Sequence, residues 1–317
     1  MKVNKALNAL AILAALFLVV GFYPSQLLAK EKYEEKFAKT ESLARDGKIV
    51  LKNVSGNIEV KSWDKGEVKI DALKVSKASS LEKAKENAQK ITIEVNKEGD
   101  ILRIETKYPK TKLKSLSVSI HYQLMIPDKA SPKIRSVSGD VSLENIGGEV
   151  EVSVVSGDVV LIGAGMGVEC KAVSGDLKLK DITGDAYLNT VSGNITLDKL
   201  RGSIEAETVS GKVELSEVSE AKVVRGKTLS GSIIYDGKIN PEGKYTLKSH
   251  SGNIEMILPP DSGFEVEAST FSGNIKSDFD ITISGKMMKR EIHGVVKGGG
   301  ADVKLSTFSG GISLEKK

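Results

Sequence analysis

The sequence predicts an all-β chain, a parallel β-solenoid with 18-residue rungs built from two nine-residue strand-turn units each, preceded by a small mixed cap containing one helix. Three observations carry this. The dipeptide Ser-Gly returns at Ser138, Ser156, Ser174, Ser192 and Ser210, every 18 residues, which marks an internal repeat. Within each repeat the apolar residues recur every nine. Val137, Val141 and Leu143 are followed by Ile146, Val150 and Val152, and so on to Val209, Val213 and Leu215; all 27 such positions are apolar in a chain that is 40% hydrophobic. The last two of each triplet stand two apart, the spacing of strand side chains that face one way. The third observation is the turn chemistry: Ser-Gly suits one corner of each rung, because glycine tolerates positive φ and serine hydrogen-bonds local backbone. Gly147-Gly148, Thr183-Gly184 and Arg201-Gly202 mark the other corner.

Two topologies accept nine-residue units. An antiparallel meander leaves one wide apolar face, and this stretch holds no amphipathic helix to cover it. A flattened coil buries both inner faces against each other and stacks like corners at about 4.8 Å per rung. The coil is expected, with Val141, Val159, Leu177, Ile195 and Val213 forming one inward column. The short rungs are also similar to the calcium-binding β-roll, although the Gly-Gly-x-Gly-x-Asp turn of that repeat is missing.

Four segments are expected along the chain. Residues 1–29 carry Lys2 and Lys5, an uncharged apolar run from Leu10 to Phe22, and Leu27-Leu28-Ala29, the layout of a signal peptide; an uncleaved membrane anchor is the alternative. Either sends the remainder out of the cytoplasm, to the periplasm, cell envelope or cell surface. Residues 30–44 form a charged leader, read as a tether. Residues 45–136 form the cap, in which Val54-Ser55-Gly56-Asn57-Ile58 repeats the rung signature. A helix is expected from Ser80 to Lys90, with Ser79 and Glu82 spaced as a capping box. A hairpin joins Ile91–Val95 to Ile101–Thr106, and Leu116–Ile126 supplies another strand before Pro127. Residues 137–317 form the solenoid. Past Leu215 the Ser-Gly corners continue at Ser230, Ser251, Ser272 and Ser309, with longer loops, the largest from Ser284 to Gly300 and carrying Lys286, Lys289, Arg290 and His293.

The net charge is +4, and +2 once Lys2 and Lys5 are removed. With no element concentrating positive charge, nucleic acid is not an expected partner. A surface polysaccharide or an envelope protein fits better, and a membrane only through the N-terminal segment.

The Gly56–Asp64 stretch Gly-Asn-Ile-Glu-Val-Lys-Ser-Trp-Asp, the Val-Ser-Gly-Asp/Asn series, Ser-Gly-Asn-Ile-Glu-Met-Ile-Leu-Pro at 251–259, and Thr-Phe-Ser-Gly at 270–273 and 307–310 carry a family likeness. After residue 45 the chain resembles the bacterial "putative adhesin" β-strand-repeat family of unknown function. The resemblance implies a β-solenoid in an exported or envelope protein, and brings no catalytic motif or cofactor.

The chemistry-bearing residues point the same way. His121, His250 and His293 are scattered without metal-ligand spacing, and Cys170, the one cysteine, stands in phase with the inward positions. No catalytic residue and no cofactor are expected, and the function expected is a non-enzymatic scaffold or adhesion module. A carbohydrate-binding or carbohydrate-active solenoid, or an anchored envelope-signalling accessory, is the alternative. Asp140, Asp158 and Asp176 recur after successive Ser-Gly corners, where turn-forming and a weak cation column are both open readings. On the other half-rung, Glu149, Glu151, Glu169, Asp185, Glu205 and Glu207 are expected outward with Lys171 as the one base among them, an acidic face with Glu151 beside Glu169. Like charges on paired strands repel, so a divalent ion or a cationic partner is a candidate there.

Overall fold

A computed structural model describes residues 30–109, 116–283 and 290–317. The expected signal or anchor at 1–29, and Lys286 and Lys289, lie outside the described residues. Two sheets face each other and run the length of the array, one of 13 strands and one of 14. We call them sheet A and sheet B.

The repeat region sets the pattern. Strands β8 (Ser131–Ser138), β10 (Val150–Ser156), β12 (Val168–Ser174), β14 (Ala186–Ser192), β16 (Ile204–Ser210) and β18 (Val223–Ser230) stack in parallel in sheet B. Between them in the chain, β9 (Val141–Ile146), β11 (Val159–Ala164), β13 (Leu177–Thr183), β15 (Ile195–Arg201), β17 (Val213–Ser219) and β19 (Ile233–Gly237) stack in parallel in sheet A. The parallel coil is therefore the topology. Val141, Val159, Leu177, Ile195 and Val213 pair in register as expected, all fully buried. Burial of each such side chain contributes on the order of 1.5–3 kcal/mol.

The Ser-Gly corners stack as tightly as the strands. The Gly157 N–H donates to the Ser174 carbonyl at 3.0 Å, and Gly139, Gly175 and Gly193 do the same one rung apart. Asp and Asn two residues past the serine add a second ladder. The Asp158 N–H donates to Asp140 Oδ1 at 3.0 Å, Asp176 to Asp158 at 2.9 Å, Asn194 to Asp176 at 2.8 Å and Lys212 to Asn194 at 2.9 Å.

Both ends depart from chain order. Strands β2 (Lys48–Ser55) and β3 (Ile58–Trp63) form a rung that lies directly against β8 and β9. The chain then passes through β4 (Glu67–Ala78), α1 (Leu81–Gln89) and β5 (Thr92–Glu98) before β6 (Ile101–Lys107) and β7 (Ser117–Pro127) stack on the far side of β2 and β3. Strand β5 pairs antiparallel with β6 through the expected hairpin, and β4 pairs antiparallel with β7. The helix cap is Ser80, whose hydroxyl accepts from the Lys83 N–H, one residue later than the Ser79 expectation. The charged leader is not a tether: β1 (Glu31–Ser42) pairs antiparallel with β4 over its whole length and closes sheet A. Its alternating charges suit an edge strand, because they discourage pairing with another chain.

At the other end, β20 (Lys244–Ser251) and β21 (Ile254–Leu258) are followed in the chain by β22 (Phe264–Ser272), β23 (Ile275–Ser277), β24 (Thr282–Ile283) and β25 (Glu291–Val296). The last two strands, β26 (Ala301–Ser309) and β27 (Ile312–Lys316), insert between β20/β21 and β22/β23. The rung at Ser309 thus precedes the rung at Ser272 in space, a correction to the order read from the chain. The Ser284–Gly300 excursion is also not all loop, since β25 pairs antiparallel with β22. Among the described residues no helix is long and apolar enough to cross a membrane.

Candidate binding surface

Strand parity decides what faces out. On β10, Val150, Val152 and Val154 are buried, so Val155 points to solvent with 48% of its surface exposed. The valine before each corner serine belongs to the apolar repeat, yet it is an outward residue. In its place the preceding residue turns inward: Ala172, Thr190, Thr208, Thr228, Ser249 and Thr307 are buried. The hydroxyls among them are satisfied at the corner. Thr208 Oγ1 donates to the Gly193 carbonyl at 3.1 Å, Thr228 to Gly211 at 3.1 Å, Ser249 to Gly231 at 3.0 Å and Thr307 to Gly252 at 2.9 Å.

Register aligns the outward residues into one stripe along the edge of sheet B. It runs Val54, Val137, Val155, Val173, Val191, Val209, Leu229, His250, Phe308, Phe271 across ten adjacent strands. The aliphatic members are between 39% and 53% exposed, and Phe271 is 63% exposed. At the far end the rings stack: Phe271 on Phe308 at 4.6 Å and Phe308 on His250 at 5.0 Å between centroids, nearly parallel. Here the surface sinks into an open groove of about 760 Å³, lined by Leu229, Phe271, Phe308, Lys227, Lys248 and Arg290. Glu207 and Glu291 also line it, so the surface is apolar at its centre and of mixed charge at its margin.

The predicted acidic face is only partly acidic. Glu151 and Glu169 are direct neighbours, as expected. Glu151, however, contacts Lys133 and lies 3.9 Å from Arg135 on the rung before, while Glu169 contacts Lys171. Tyr187 separates Glu169 from Glu205, and Arg225 and Lys227 meet Glu205 at 3.3 Å and Glu207 at 3.7 Å. Glu149 sits at a corner, where its N–H donates to the Ser131 hydroxyl, and Asp185 accepts from the Ser203 N–H. Of the candidate cation column, one oxygen each of Asp140, Asp158 and Asp176 is occupied by the corner ladder, and Lys178 lies 3.8 Å from Asp158 and 3.5 Å from Asp176.

The histidines stand on three different strands, His121 on β7, His250 on β20 and His293 on β25. His293 lies 2.8 Å from Glu291 on its own strand. Cys170 is fully buried on β12, and burial pushes its thiol up to about 12 from an ordinary 9.0, because the thiolate loses its hydration. At pH 8 the folded protein is therefore expected to leave a thiol reagent unreacted, and to react once unfolded in urea. The linked effect leaves stability unchanged below about pH 9 and lowers it as the pH rises from about 9 toward about 12, because the unfolded chain ionises first. Fast labelling of the native protein at pH 8 would show that Cys170 is not in the core.

The fold and its stripe define a capped, two-sheet β-solenoid with an exposed apolar edge. Residues 46–315 match the family described as Toastrack DUF4097, and the chain belongs to that family. No curated protein matches the chain. Among solved structures it is similar to a "putative adhesin" from Parabacteroides distasonis ATCC 8503, with 12% identity, TM-score 0.43, and 88% of this chain and 97% of that one covered. A "putative adhesin" from Bacteroides fragilis NCTC 9343 shows 13% identity and TM-score 0.42 over 89% and 97%. A "putative cell adhesion protein" from Clostridium sporogenes ATCC 15579 shows 14% identity and TM-score 0.31 over 90% and 100%.

Proposed function

We propose that the protein is an exported, non-enzymatic scaffold and adhesion module of the cell envelope or cell surface, and that the stripe on sheet B is its contact surface. The observation that carries this reading is the continuous stripe of exposed side chains across ten strands, all apolar except His250, whose ring stacks on Phe308. Contiguous exposed apolar patches on soluble domains mark interaction sites, since water exposure of this extent is otherwise unfavourable. The convergent groups are mostly aliphatic and aromatic, with charges of both signs at the margin, a chemistry of contact more than of proton transfer. Polarity supports it too: β1 closes sheet A at one end and β23 at the other, so a chain tethered before β1 holds the aromatic groove at the distal end. The stacked Phe271, Phe308 and His250 rings favour a second reading within the first, in which the distal partner is a surface polysaccharide lying against a flat apolar ledge.

The test is binding to isolated envelope from the native host. Phe271→Ala with Phe308→Ala is expected to lower binding at least about tenfold while the fold is kept, because both rings are outward. Unchanged binding by the folded double variant would overturn the assignment of this surface.

A further inference from the structure

We propose that the chain associates with a second copy of itself along the aliphatic part of the stripe, as a parallel, in-register two-fold dimer. This rests on reading the stripe as a contact surface, and the charges beside it name the occupant. From Val54 to Val209 the stripe crosses six adjacent strands, about 24 Å. Each rung carries one flanking residue two before the valine and another three after it, beyond the corner.

Three rungs are charged on both flanks: Arg135 with Asp140 beside Val137, Lys171 with Asp176 beside Val173, and Glu207 with Lys212 beside Val209. The signs are opposite in every case. Where the order inverts, at Glu207 and Lys212, both flanks invert together. The remaining rungs, Lys52 with Asn57, Ser153 with Asp158 and Asn189 with Asn194, put no like charges on the two flanks.

A two-fold axis parallel to the stripe lays each rung on the same rung of the second copy and exchanges the flanks. Arg135 then faces Asp140 of the second copy, Lys171 faces Asp176 and Glu207 faces Lys212, each pair occurring twice by symmetry. An antiparallel dimer instead faces each flank with the same flank of the mirrored rung; centred on Val173, it would set Arg135 on Glu207 and Asp140 on Lys212 but also Lys171 on Lys171 and Asp176 on Asp176, like charges at its centre that the parallel arrangement avoids at every rung. Within one copy these groups pair along the surface, Lys171 with Glu169 and Glu207 with Lys227, and Lys212 lies 2.8 Å from Glu214. Such exposed pairs are worth little and re-form readily. The resulting contact has an apolar centre and a complementary charged rim. It also brings both β1 ends to the same side and turns the two aromatic grooves toward each other.

Cross-linking reads the geometry. In the full chain carrying Cys170→Ala, each of Val155→Cys, Val173→Cys and Val191→Cys is expected to give a disulfide-linked dimer on mild oxidation. An antiparallel dimer links only at the rung on its axis, and a monomer at none; either result overturns the proposal. Sedimentation reads the charges. Glu207→Lys is expected to weaken association at least about tenfold. Adding Lys212→Glu is expected to restore it to within about threefold of the parent, because the rung is again self-complementary. Absence of that rescue also overturns the proposal. The two readings separate: a protein monomeric at about 100 μM whose Phe271, Phe308 variant loses envelope binding ends the dimer and keeps the contact surface. The dimer survives, and the envelope reading falls, if cross-linking succeeds while that variant binds envelope as well as the parent.

Discussion

Replacing Gly175 by alanine is expected to destabilise the protein by about 4 kcal/mol or more, the range reserved for changes with no room to relax. Gly175 has φ +146, and a Cβ there would overlap the Gly157 carbonyl oxygen and come within 2.6 Å of its carbon. Those atoms are backbone of the adjacent rung, tied to their own neighbours by the corner hydrogen bonds, so they cannot step aside without opening the stack. Gly99 is the control. It also has positive φ, +58, yet no atom lies within 4 Å of the place a Cβ would occupy, so Gly99→Ala should cost only the conformational strain, about 1–2 kcal/mol. Urea unfolding of the two variants checks both values. Equal small losses would mean that the corners do not stack as described.

Leu177→Ala is expected to cost about 2–5 kcal/mol, through lost burial and the cavity left among side chains that cannot collapse. Leu177 is fully buried and pairs with Val159 on one side and Ile195 on the other. Val173→Ala, four residues earlier in the same apolar repeat, should cost about 1 kcal/mol or less, because half of Val173 already meets solvent. Urea titrations of both variants decide the matter. A Leu177→Ala loss under about 1 kcal/mol would contradict the inward column, and a large loss at Val173 in the monomer would contradict the outward stripe.

The contrast between those two residues shows what could be read locally. Sequence spacing alone places both in the repeat, since each recurs every 18 residues. Counting by twos from Val150 assigns Val154 inward and Val155 outward, and that parity was the available signal for the stripe. It is masked because the inward position before the corner is more often Thr or Ser than an aliphatic residue, Val154 and Ala172 being the aliphatic cases. Those hydroxyls look like surface until the corner carbonyls they satisfy are in place.

The acidic face differs for another reason. Glu151 and Glu169 do stack as the repeat requires, but Lys133 and Arg135 reach Glu151 from a strand whose sequence precedes the strict repeat. A period found within 137–215 carries no information about the rungs that border it.

By itself, then, the sequence determined the rung length, the Ser-Gly corners, the inward columns from Val141 to Val213, the hairpin and helix α1. Each depends on contacts one rung apart or on local turn and cap chemistry, and such contacts leave a period or a motif in the chain. Only the tertiary structure decided that β26 and β27 enter between earlier rungs, that β2 and β3 lie inside β6 and β7, that the charged leader is an edge strand, and that ten outward side chains line up with charged neighbours. Those features arise from where distant segments insert, and in a stack of near-identical rungs the backbone hydrogen bonds that accept an inserted strand are the same at every level, so no residue pattern along the chain records the order.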